Sequence, residues 1–292
     1  MKKERNKKYP RMMIISTMIM VVLLIISIST ATFAWFSANT IVGTNTLTFT
    51  AQHTGDANIS ISWEQWTEGT AITSNELELS AADPLKPCIP KESPEKKSPE
   101  EEEISFDEFR QSFRGATIGI PKGEPPEGQP PKKVFNSNGE PESPFLSKRP
   151  QKEGFSGDQY HFYVTNHGVT PINLEVYFRA VESQENENLG LLRMSIFVGD
   201  SPEQLKYYKT LVALDQDALI DQTPKTHYGI IKEGADPEEF ETIETSETTL
   251  PIEVAGNNGY KVFAFVAWYD GVYLDDVKAG KQASIEVIFK SA

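Results

Sequence analysis

His161 and His167 stand six residues apart in YHFYVTNHG. In an unbroken strand an even spacing puts both imidazoles on one face, where they could share a metal ion. Asn166-His167-Gly168 reads as a turn, however, so the pair is expected as partial core. The other histidines, His53 and His227, fall in no H-E-x-x-H pattern, so the standard zincin arrangement is missing. Asp270, Asp275 and Asp276 flank a glycine turn in YDGVYLDD. Hard cations take several carboxylate oxygens from one or two loops, which makes these three the calcium candidates. DQDALID, residues 215–221, is a second acidic group of the same kind. The lone cysteine, Cys88, lies in LKPCIP. A nucleophile in a proline-rich linker lacks fixed geometry, so Cys88 is expected as an incidental exposed thiol. There is no G-x-S-x-G elbow and no phosphate-binding glycine loop. These residues therefore assign no catalytic role and call for no cofactor.

The charge and composition narrow the partners. The net charge of the 292 residues is −14. A polyanionic surface repels phosphate backbones, which argues against nucleic acid. Hydrophobic content is 38% and there are 19 prolines, 13 of them between Pro84 and Pro150. Without internal disulfides, the chain suits export from a Gram-positive cell better than an oxidising periplasm.

The amino terminus directs the chain to a membrane. Lys2, Lys3, Arg5, Lys7, Lys8 and Arg11 form a basic region, and residues 12–28 carry no charge. The uncharged stretch continues to Phe36, long enough to span a bilayer. Thr32 and Ala34 also fit the small −3 and −1 positions of a signal-peptidase site, which would make Trp35 the new amino terminus. Residues 1–34 are thus a signal peptide or a membrane anchor using residues 12–34. Both place the remainder outside the cell, secreted or at the cell surface.

T-x-A followed by Trp35-Phe36 resembles the signal peptides cut by the SipW-type peptidase of Firmicutes. The strand patterns YHFYVTNHG and FVAWYDGVYLDD add a resemblance to its clients, the TasA/camelysin family. That resemblance implies a biofilm-matrix or fibre subunit. Camelysin-like proteins have also been classed as metallopeptidases, a role for which the histidines offer no support. The alternative to a structural subunit, ahead of the metallopeptidase, is an extracellular carbohydrate-binding module, which would use Trp63, Trp66, Tyr207 and Tyr208 to stack on sugars.

The elements behind these residues read as strands. Leu47, Phe49 and Ala51 alternate with threonines, and Ile59, Ile61 and Trp63 with serines. Tyr160, Phe162 and Val164 continue the pattern, as do Leu174, Val176 and Phe178, then Met194, Ile196 and Val198, then Ile285, Val287 and Phe289. Period-2 alternation predicts half-buried strands. KVFAFVAWY, residues 261–269, is nearly all apolar and predicts a central strand covered on both faces. The expected fold is all-β, an antiparallel jelly-roll-like sandwich whose first strands lie in residues 35–79 and the rest in 158–292. Ser201, Pro202 and Gln204 offer a helix start running to Tyr208.

Residues 80–157 interrupt the sandwich. PKESPEKKSPEEEE and PKGEPPEGQPPKK bury too little to offset chain entropy, so a disordered insertion is expected. Within it, Ser105 and Glu108 match a capping box, and Phe106, Phe109 and Phe113 share one face of a short helix over 106–114. That stripe either packs back on the sandwich or recognises another protein. Cleavage at Ala34 would free WFSANTIVGTNTLTFT, an apolar arm able to join a neighbour's sheet edge. Signal peptidase and a second copy of the chain are the expected partners.

Overall fold

The computed structural model describes residues 20–21, 43–52, 58–68, 76–77, 87–95, 104–115, 118–119, 134–135, 144–151, 157–180, 191–212, 227–231, 240–244, 251–272 and 282–291. The chain divides into two units, Met1–Thr40 and Ile41–Ala292. Of the first, only Met20 and Val21 are described, both helical and exposed. No helix among the described residues is long and apolar enough to cross a membrane. The cleavage residues Thr32, Ala34 and Trp35 lie outside the described residues, as do His53, Asp275, Asp276 and residues 215–221.

The second unit is predominantly β. Its elements run β1 (Gly43–Gln52), β2 (Ile59–Ser62), β3 (Glu76–Leu77), β4 (Pro87–Pro90), α1 (Phe106–Gln111), β5 (Phe113–Gly115), β6 (Ile118–Gly119), β7 (Val134–Phe135) and β8 (Phe145–Leu146). They continue with β9 (Phe162–Asn166), β10 (Ile172–Ala180), β11 (Leu192–Gly199), β12 (Lys206–Val212), β13 (His227–Ile231), β14 (Phe240–Glu244), β15 (Ile252–Val254), β16 (Gly259–Asp270) and β17 (Gln282–Ser291). One sheet has the order β15-β10-β17-β1-β3. The larger sheet follows β12-β11-β16-β4-β5, with β8 and β9 also on β16 and β2 on β9. β13–β14 and β6–β7 are separate two-stranded pairs.

The two large sheets face each other around one core. Ile59, Ile61, Phe162, Val164, Met194, Ile196, Phe263 and Phe265 come from the larger sheet, and Leu174, Ile252, Val287 and Phe289 from the smaller. Their alternation along the strands is the one read from the sequence, because successive side chains leave opposite faces. β16 is buried on both sides, as its unbroken apolar run predicts. Phe263, Phe265 and Tyr269 point into this core, and Ala264, Val266 and Trp268 into a second cluster on the outer face.

That second cluster corrects the expectation of a disordered insertion for residues 87–95, 104–115 and 144–151. One edge of β16 pairs with β11. The other is filled in turn by β9 at Gly259–Phe263, β8 at Val266 and Ala267, and β4 at Tyr269 and Asp270. Ser147 closes the gap between β9 and β8. Its N–H donates to the Phe265 carbonyl at 3.3 Å, and its Oγ accepts from the Phe265 N–H at 3.0 Å. Two of the strands on this edge therefore come from inside residues 80–157. Averaged composition hid them, because four apolar residues suffice for a strand that pairs with a pre-existing edge.

Three smaller expectations are also corrected. Two strand pairs are parallel, β1 with β17 and β4 with β16, so the sheets are mixed. Each of these pairs is joined by a long connection and escapes the antiparallel geometry that a hairpin imposes. The helix expected through Tyr208 is one 3₁₀ turn, Pro202–Gln204, without a side-chain cap. Leu205 returns to the extended region, and Lys206–Val212 pair with β11 instead. The helix expected over 106–114 stops at Gln111 with Ser112 as its cap, and Phe113 and Arg114 belong to β5.

Candidate functional site at the terminal strand pair

The first and last strands of the folded unit are neighbours. β1 runs parallel to β17 from Gly43 opposite Gln282 to Gln52 opposite Lys290, with a register shift between Thr44 and Thr46. On its other side, among the described residues, β1 pairs only with β3, at Phe49–Leu77 and Thr50–Glu76. Backbone hydrogen bonds to β17 thus do most of the work of holding β1. Lifting β1 out would open the β17 edge along the whole of that register, and an open edge is a template for another strand. Residues 43–50 of the expected arm accordingly lie in β1, and all of them but Asn45, at the register shift, have a partner in β17. Residues 35–42 lie outside the described residues.

The aromatic stripe of α1 is spent inside the molecule. Phe106, Phe109 and Phe113 are 6%, 0% and 0% exposed. Phe109 packs edge-on to Phe113 (5.1 Å between ring centroids) and to Trp268 (6.0 Å). Phe106 meets Phe197 at 5.4 Å. The expected capping box is present. Glu108 N–H donates to Ser105 Oγ at 3.3 Å, and Ser105 N–H to Glu108 Oε2 at 3.0 Å. The Ser105 hydroxyl also donates to Glu108 Oε2 at 2.7 Å, and this bond, with that from the Ser105 N–H, lowers the Glu108 pKa. The recognition-helix alternative is overturned, because no face of the stripe is left for a partner.

Asp270 is not a calcium ligand in waiting. It is fully buried at the end of β16, with Arg193 Nε 3.9 Å from its Oδ2. Its Oδ2 accepts from Gly229 N–H at 3.0 Å and its Oδ1 from Val272 N–H at 3.1 Å. Burial pushes its pKa up, against the pull of Arg193 and the two N–H donors. Arg193 in turn donates to the His227 carbonyl through Nε (3.1 Å) and Nη2 (3.0 Å). The pair straps β13 to β11 and β16. Arg193 went unnoticed in the sequence, where its signal is a lone cation inside LLRMSIFVG. Among the described residues no group of three or more His, Cys, Asp or Glu side chains is placed to hold a metal.

The histidines are placed apart. His167 joins Ser60 Oγ at 2.7 Å through Nε2 and Asn258 Oδ1 at 2.8 Å through Nδ1. His161 stands beside Tyr163, and its pKa is lowered by burial, with Glu203 opposing. Asn166 ends β9 as the turn pattern suggested. Its Nδ2 donates to the Thr170 carbonyl at 2.8 Å, and its Oδ1 accepts from Gly168 N–H at 2.9 Å. Cys88 is 1% exposed in β4, so the incidental exposed thiol is corrected to a core residue.

The four candidate stacking aromatics do not form one platform. Trp63 and Tyr208 pack against the inter-sheet core, and Tyr207 against the outer cluster. The Tyr207 hydroxyl bonds Thr210 at 3.0 Å, and burial raises its pKa. Trp66 lies edge-on to His167 at 5.4 Å. Neither a family model nor a curated protein nor a solved structure matches this chain.

Proposed function

We propose that the chain is a non-enzymatic structural subunit of a bacterial surface or extracellular matrix. It is built on a jelly-roll-like sandwich and joins its neighbours by exchanging its amino-terminal strand. The observation that carries this reading is the parallel seating of β1 on β17. The strand that follows the membrane-directed segment is thus one whose removal opens a long edge on β17, from Gln282 to Lys290. A copy that donates β1 to a neighbour regains every backbone bond it gave up, so exchange costs little at equilibrium. Release by signal peptidase after Ala34, or retention of residues 12–34 in the membrane, decides whether the arm can travel. The resemblance of the signal region to SipW-type clients supports the same reading.

The test is a lock across the pair. Thr46 and Ser284 are opposite one another in the parallel register, where backbone spacing suits a disulfide. A chain beginning at Trp35 should scatter light as growing oligomers when concentrated. The same chain with Thr46→Cys and Ser284→Cys, oxidised, should stay monomeric and recover assembly on reduction. Equal assembly by the oxidised variant would exclude strand exchange.

A further inference from the structure

Among the described residues, the outer face of the larger sheet is packed at one end by α1 and β13. There Ala264, Val266 and Trp268 of β16 meet Phe106 and Phe109 of α1 and Tyr228 and Ile230 of β13. At the other end two register rows, Ser60–Thr165–Tyr260 and Ser62–Tyr163–Val262, run across β2, β9 and β16. Residues opposite one another share a face, and Ile59, Ile61 and Val164 take the core face, so both rows point outward. Val262 is buried, while Tyr163, Tyr260, His161, His167 and Trp66 are half-exposed.

This end is a wall of rings with polar tips. Tyr163 and Tyr260 have centroids 5.6 Å apart and planes at 68°, which makes a corner rather than a stack. His161 adds a third ring, 5.8 Å from Tyr163. The hydroxyls of Tyr163 and Tyr260 make no hydrogen bond to a described residue. Burial lowers the His161 pKa and raises that of Tyr163; Glu203, on the 3₁₀ turn, opposes the first shift and, after Tyr260, adds to the second. The Thr165 hydroxyl, buried on the same face, has no partner.

We propose that the half-exposed corner of Tyr163, Tyr260 and His161 binds a polysaccharide free of acidic groups. A tyrosine face takes the C–H side of a pyranose ring, and phenol, imidazole and carboxylate exchange hydrogen bonds with its hydroxyls. No exposed aliphatic side chain lies in the two rows, which disfavours an apolar peptide. The net charge of −14 repels acidic chains and tolerates neutral or amino-bearing ones. The site is separate from β1, so binding is read on the monomer and does not depend on strand exchange.

The experiment uses the full chain in a polyoxyethylene detergent, titrated calorimetrically with defined hexamers of N-acetylglucosamine, glucosamine and galacturonate. At least one of the first two should bind and galacturonate should not. Tyr163→Ser with Tyr260→Ser should weaken binding about tenfold or more, the effect of losing roughly 1.4 kcal/mol. Tyr163→Phe, which keeps the ring, should retain most of it. Should the double variant unfold, ring proton shifts in the unaltered chain serve instead: Tyr163, Tyr260 and His161 should move on saturation and the buried Tyr228 should not. The proposal fails if neither non-acidic hexamer binds, if the folded double variant binds equally, if the shifts fall elsewhere, or if only a proline-rich peptide of residues 121–133 binds.

Discussion

Arg193 Nε and Asp270 Oδ2 face each other at 3.9 Å, and neither side chain has any exposed surface. Each is held by further bonds to β13, so the pair fixes a strand as well as two charges. Removing one partner leaves the other charge buried and alone. Asp270→Ala should therefore cost about 3–5 kcal/mol in urea unfolding. Arg193→Met combined with Asp270→Leu should cost much less than Asp270→Ala, because the orphan charge is gone.

The same carboxylate gives the stability a pH signature. Burial raises the Asp270 pKa above its ordinary value of 3.8. As pH climbs through the window between the ordinary and the raised value, the unfolded chain gives up its proton first. It then binds fewer protons than the folded chain, so stability falls with rising pH in that window. Comparing urea midpoints from acid to neutral pH should show this decline in the parent. It should be missing from Asp270→Asn.

Phe109 tests whether the described part of residues 80–157 belongs to the core. It is fully buried among Phe113, Phe197 and Trp268. Phe109→Ala should destabilise by about 3–5 kcal/mol. Deleting residues 84–150 should abolish cooperative unfolding, since it strips β4 and β8 from the edge of β16. A fully cooperative deletion variant would show that the sheet tolerates an open edge there.

Cys88 offers a cheap probe of the same region. At 1% exposure its thiol should be silent to a chromogenic disulfide reagent in the folded chain. It should react stoichiometrically in denaturant. Fast labelling of the native chain would place β4 outside the sheet.

The legible parts of the fold were those governed by local rules. Ile59–Ile61 and Met194–Ile196 alternate because every second side chain turns to the core between the sheets, and GNNG carries at its centre the positive-φ residues Asn257 (58°) and Asn258 (66°) that such a turn demands. The capping box of α1 is likewise written in adjacent residues. What could not be read depends on distant partners. PCIP becomes a strand only because β16 waits for it, nearly two hundred positions away. Arg193 is tolerable in an apolar strand only because Asp270 comes to meet it. Leu205 abandons the helical path because β11 offers the following residues a ladder. The half-exposed ring corner is invisible for the same reason, since Tyr163 and Tyr260 become neighbours only through register.

The parallel pairing of β1 and β17 also decides how the unit bears a load. Gly43 sits beside Gln282 and Gln52 beside Lys290, so the incoming end of the first strand and the outgoing end of the last lie at opposite ends of the pair. Tension applied through the two termini pulls the strands past each other along their length. The cross-strand bonds are then stretched together instead of opening one after another. The sandwich is thus clamped in shear between its own ends, the stiff arrangement for a link in a chain under pull.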